Sequence, residues 1–151
     1  MATPYITREA IMSSLFTLIK GMAVMGIKFT FSRRFYMWDK VAGASMPMVM
    51  LTKGKENYPS RAAIGLPAKR TFSMELNIYF DYGKNQQEIP DIYVNNIMDA
   101  VDTVLAPPAG QTVQTLGGLV DHCYIEGDAL LVPGDLDGIG HLLIPLKAVL
   151  P

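Results

Sequence analysis

Cysteine occurs once in the 151 residues and histidine twice. The lone Cys123 excludes an internal disulfide, and it fits a reducing compartment. His122 and His141 have no partner at the spacing of a C-x-x-C or H-x-x-x-H metal site. His122 and Cys123 are also neighbours on a segment that reads as a strand, where adjacent side chains face opposite sides and cannot chelate one ion. No apolar run approaches the ~20 residues of a membrane helix. The first residues lack a basic segment followed by an apolar stretch and a small-residue cleavage site. The expectation is a soluble intracellular domain.

Catalytic motifs are missing as well. Gly21 and Gly26 have the spacing of a phosphate-binding loop, but Ile27 stands where the lysine must be. That loop also needs a strand before it and a helix after it. Asp135, Asp137 and Gly140 match the opening of a calcium loop. Ile139 and Leu146 then occupy positions that need oxygen ligands, so a tight site is not expected. Gly43-Ala44-Ser45-Met46-Pro47 ends in proline where a nucleophile elbow needs glycine. The sequence points to no enzyme, no cofactor and no metal.

Half of the residues are hydrophobic, enough for one domain over residues 1–151. Thr7 can cap a first helix, with Ile11, Leu15, Leu18 and Met22 at helical spacing and Met12, Phe16 and Ile19 beside them. Ile27, Phe29 and Phe31 alternate as in a strand until Arg33 and Arg34 break the pattern. Met48 to Thr52 reads as a short buried strand. From Lys53 to Arg70 a long connection carries Gly54, Pro59, Gly65 and Pro67, and its length marks it as a candidate functional arm. Thr71 to Asp81 is the clearest strand, predicted to turn Phe72, Met74, Leu76, Ile78 and Phe80 to a core. Its other face, with Ser73, Glu75, Asn77, Tyr79 and Asp81, reads as polar.

A second helix is expected from Pro90 or Asp91 to the stop at Pro107-Pro108, with Val94, Ile97, Met98, Val101 and Leu105 on one face. Gly117-Gly118 reads as a turn, Leu119 to Glu126 as a strand, and Gly134 to Gly140 as a glycine-rich connection. Leu142 to Val149 reads as a last strand, in which Pro145 predicts a free edge. This order predicts an α+β domain: an antiparallel or mixed sheet with two helices packed on one face.

Net charge is −1, and that balance conceals a division. Lys20 to Arg70 holds ten basic residues against Asp39 and Glu56, a surplus of eight positive charges. Thr71 to Pro151 holds two basic residues against eleven acidic ones, a surplus of nine negative charges. Either the two parts meet inside one subunit, or the basic part docks on the acidic part of a neighbour. Lys53, Lys55, Arg61, Lys69 and Arg70 are the candidate interface residues. Arg33 and Arg34, among Phe31, Phe35, Tyr36 and Trp38, have the basic and aromatic mix of a nucleic-acid platform. They also fit arginines that end a strand beside core aromatics.

The layout as a whole carries a resemblance. Its parts are the helix Thr7-Arg8-Glu9-Ala10-Ile11-Met12, the step Ser32-Arg33-Arg34, and Pro47-Met48-Val49-Met50-Leu51 before a basic connection. The strand Arg70 to Leu76, the turn Leu116-Gly117-Gly118-Leu119-Val120 and the closing strand Gly140 to Val149 complete it. Together they resemble the tail-terminator proteins of long-tailed bacteriophages, the minor tail proteins next to the neck. The resemblance rests on pattern over nearly the whole chain and transfers no individual contact residue.

It implies a structural virion subunit, assembled in the host cytoplasm, that forms a homo-oligomeric ring of six. Such a ring caps the tail tube, ends its polymerisation and joins the tail to the head-to-tail connector. DNA passes through the lumen without specific binding, and no membrane is involved. In this resemblance Lys53–Arg70 corresponds to the family's long loop, and Arg33 and Arg34 are candidates to face the lumen. Other readings are a different neck component, such as a head-completion or adaptor protein, or a small ligand-binding or nucleic-acid-binding domain.

Overall fold

The computed structural model describes residues 7–37, 40–41, 46–58, 70–81, 90–132 and 139–150. Helix α1 spans Arg8–Ile19, and the Thr7 hydroxyl oxygen accepts the Ala10 N–H at 3.1 Å. That bond satisfies one of the donors that a helix start leaves open. Strands β1 (Thr30–Ser32), β2 (Met48–Asn57) and β3 (Thr71–Asp81) follow, then helix α2 (Pro90–Leu105). Strands β4 (His122–Ile125), β5 (Leu130–Val132) and β6 (Ile139–Val149) complete the order.

The strands form one mixed six-stranded sheet in the order β1-β2-β3-β6-β4, with β5 also paired to β6. Only β1 and β2 run parallel among these pairs. The longest pairing joins β3 to β6 from Thr71↔Val149 to Asp81↔Ile139. The chain is thus one α+β domain, as the pattern of elements predicts.

One face of the sheet holds the core. Phe72, Met74, Leu76, Ile78 and Phe80 of β3 join Val49 and Leu51 of β2 and Leu142, Ile144, Leu146 and Ala148 of β6. Ile11, Leu15 and Ile19 of α1 cover them, with Val94, Ile97, Val101 and Leu105 of α2. Both helices therefore lie on the same face.

The buried Gln114 ties the end of α2 to the turn after it. Its side-chain amide donates to the Ala106 carbonyl at 2.9 Å, and its side-chain oxygen accepts the Leu116 N–H at 3.2 Å. Leu116 has a positive φ of 52°, a conformation unfavourable for a residue with a branched side chain, and the Gln114 bond helps hold it.

Three expectations are corrected. First, the connection predicted to begin at Lys53 begins later, because β2 continues through Lys53, Lys55 and Glu56 to Asn57. A bulge between Lys53 and Glu56 shifts the register. Gly54 sits in it, where a Cβ would lie 3.0 Å from the Ser73 carbonyl oxygen.

Second, the outer face of β3 is not simply polar. Asn77 and Tyr79 are buried there, beside the buried Met50 of β2. Parallel strands need a crossing connection, and the chain leaving β1 crosses this face. The Phe35 ring centroid lies 6.4 Å from that of Tyr79, and the Tyr36 N–H points at the Met50 sulfur at 3.3 Å.

Third, Pro145 does not mark a free edge, since β6 is an interior strand with β3 on one side and β4 and β5 on the other. The Pro145 carbonyl accepts the Glu126 N–H at 3.2 Å on the β4 side. In an antiparallel strand a residue's nitrogen points to the same side as its carbonyl. The missing N–H therefore faces the gap between β4 and β5, where Glu126 to Ala129 leave the ladder. Gly127, at φ +110°, passes so close that a Cβ would meet the Pro145 ring at 3.2 Å.

Candidate functional site

The basic residues singled out by sequence fall into separate places. Lys53 and Lys55 lie on β2, and Arg70 directly precedes β3. Arg61 and Lys69 lie outside the described residues, as do Asp135, Asp137 and Ser45. Lys53 pairs with Glu56, so its charge is answered within the subunit. The Glu56 carboxylate also takes the Arg8 guanidinium at 2.6 Å and the Tyr58 hydroxyl at 2.6 Å. Hydrogen bonds from Arg8, then Lys53 and Tyr58, hold its pKa at about 2. Arg8 and Lys53 flank the Phe72 ring at 6.0 and 4.8 Å from its centroid, so this cluster closes one end of the core.

Arg33 grips the Glu9 carboxylate of α1 with two nitrogens, one of them at 3.1 Å. The pair holds Glu9 below the usual carboxylate range, with help from the Ser13 hydroxyl. Arg34 lies over the Tyr36 ring, 5.4 Å from its centroid. The two arginines thus have different roles: Arg33 fastens the end of β1 to α1, and Arg34 remains at the surface. The ion pairs of Arg8, Lys53 and Arg33 all draw on Glu9 and Glu56, acids of the first part of the chain. Lys147 pairs with Glu126 at 2.7 Å inside the second part.

Among the described residues no group of three His, Cys, Asp or Glu side chains converges as metal ligands would. No described helix is long and apolar enough to cross a membrane. Cys123 is a buried core side chain, and burial pushes its thiol up to about 12, away from the reactive thiolate form at neutral pH. Gly26, Ile27, Lys28, Thr30, Met46, Pro47 and Tyr93 line a half-open cleft of about 370 Å³ beside β1.

The sequence reading missed the feature that most invites contact. On β5, Leu130 is 54% exposed, Leu131 39% and Val132 57%. Among the described residues β5 pairs on one side only, with β6. The sequence signal was three successive apolar residues directly after the solvated turn Glu126 to Ala129, too short to read as a strand. Met25, Phe35 and Met37, in the chain on either side of β1, are exposed too. Among the described residues, β1 and β5 each pair with one strand only, and apolar side chains lie at or near both. Compared with models of known protein families and with curated proteins, the chain matches neither.

Proposed function

We propose that the protein is a structural subunit of a bacteriophage tail: a ring, six-membered by resemblance, that caps the tail tube and joins it to the neck. The observation that supports an assembling subunit is the apolar edge strand β5. β5 is only three residues long, but all three of its apolar side chains are exposed, where monomeric proteins usually charge or cover an edge, because contiguous exposed apolar surface invites another chain. A closed ring uses two different surfaces of each subunit, head to tail, and β1 and β5, each paired on one side only among the described residues, offer two. The division of charge along the chain is suited to the same kind of contact.

Of the arginine pair, Arg33 has its charge engaged by Glu9 within the subunit. The proposed docking set is Lys53, Lys55, Arg61, Lys69 and Arg70, of which Lys53 also pairs with Glu56 inside the subunit.

The test is the mass of the purified protein in solution, alone and mixed with tail-tube protein, followed by electron microscopy of the mixture. Six copies of 16.6 kDa give about 100 kDa. Rings seated on tube ends support the reading. A persistent monomer that leaves tubes growing overturns it. Reversing Lys69 and Arg70 to glutamate is expected to weaken docking on the tube, read as fewer capped ends.

A further inference from the structure

We infer that adjacent subunits join by sheet extension, with β5 of one copy pairing antiparallel to β1 of the next. The inference rests on the ring reading above and specifies its contact. In the order β1-β2-β3-β6-β5 the two edges stand four strand spacings apart, about 19 Å measured along the sheet at ~4.8 Å each. Within one copy β1 pairs with β2 and β5 with β6, and the two do not pair with each other. A second copy can pair them, by repeating the sheet beyond its own edge.

Strand direction agrees with this. β1 runs parallel to β2, and each later step across the sheet reverses direction. β5 therefore runs opposite to β1, and a copy shifted along the sheet presents an antiparallel junction, the more favourable kind.

Side-chain parity agrees too. Phe31 shares the helix-covered face through its partner Val49, and Leu131 shares it through Leu142. Centring the two three-residue strands on each other places Leu131 opposite Phe31. Leu130 then faces Ser32 and Val132 faces Thr30 on the outer face. Beyond the paired residues, the exposed Asp128 just before β5 and the exposed Arg34 just after β1 fall at the same end of the junction, opposite charges that would disfavour a reversed alignment. Three residues of pairing bury little by themselves, whereas a stable contact covers ~800 Å² per partner. The exposed Met25, Phe35 and Met37 near β1 supply apolar surface for the remainder.

The experiment uses the full chain carrying Thr30→Cys and Val132→Cys, oxidised in solution and run on a denaturing, non-reducing gel. Directly opposed antiparallel residues have the Cα separation that a disulfide needs, and an intrachain bridge would run as a monomer and give no ladder. A ladder of covalent oligomers is expected from the double variant and from neither single one. Asp128→Arg and Arg34→Asp should each weaken assembly at least tenfold, and the two together in one chain should restore it. Intact rings with no ladder, unaffected by Asp128→Arg, overturn the edge contact and leave the ring reading standing. A monomer under every condition, tube protein included, removes both.

Discussion

The two faces of the sheet are buried by different means. The inner face is covered by two helices and built from aliphatic and aromatic side chains spread over β2, β3 and β6. The outer face is covered locally, where the chain after β1 brings Phe35 against Tyr79 and Tyr36 against Met50. Beneath this crossing lies a polar pair: His141 Nε2 and the Asn77 side-chain oxygen at 2.7 Å. The Tyr79 ring lies beside it, 4.8 Å from the His141 ring. The inner face holds the larger core, and among the described residues the outer one is covered at Met50 and Tyr79 by the segment after β1. Burial fractions alone would not separate them, since Met50 and Leu76 are both fully buried.

Truncation measures the difference. Leu76→Ala, in the middle of the inner face, should cost about 3–4 kcal/mol in urea unfolding, the range for a leucine deleted from a rigid core. Met50→Ala should cost about 2 kcal/mol, because the segment over it can settle into the space. Equal losses at the two positions would show that the outer face is as rigid as the inner one.

A smaller effect probes the polar pair. Asn77→Ala leaves His141 Nε2 without this partner and should cost about 1–2 kcal/mol. Burial holds the His141 imidazole below its ordinary value of 6.5, partly opposed by the Glu75 charge. The folded state therefore binds fewer protons than the unfolded state below pH 6.5. Stability is full above that value and declines as the pH falls through the depressed folded value. His141→Gln should flatten this slope, and an unchanged slope would remove His141 from its cause.

The smallest effect is at the polar end of β2. Glu56→Gln should cost no more than about 1 kcal/mol, the scale of pairs near the surface. Because Glu56 is held at about 2 against an ordinary 4.5, its contribution is present above pH 4.5 and is lost between there and pH 2. Acid titration of the Glu56→Gln variant should show a shallower decline across that window.

What could be read from the sequence follows the inner face. The alternation in β3, the Thr7 cap and the apolar stripe of α2 are local signals, and they placed both helices and the central strand. The extension of β2 was not legible, because Lys53 to Asn57 carry no apolar alternation. They stay in the sheet through the ladder to β3 and through the gathering of Arg8, Lys53 and Tyr58 on Glu56. Nor were the burial of Asn77 and Tyr79 beneath the segment after β1 and the pairing of Arg33 with Glu9 of α1, contacts between distant parts of the sequence that only the folded chain makes. Pro145 misled for a related reason: a missing N–H says that something beside it is unpaired, not whether that is an edge or a gap. Of the proposed interface residues, the charges were legible and their partners were not.

The place of β6 in the sheet also sets the order of events during synthesis. It leaves the ribosome after every other described element, yet it belongs between β3 and the β4–β5 edge. A growing chain can form α1 and the β2–β3 pair early. Until β6 arrives, one side of β3 and much of the inner face stay open, and β4 and β5 have no strand to dock on. Pairing across such sequence distances is slow and leaves apolar surface exposed while it proceeds. The β5 edge exists only once β6 is in place, so a nascent chain cannot offer that contact before its own sheet is complete.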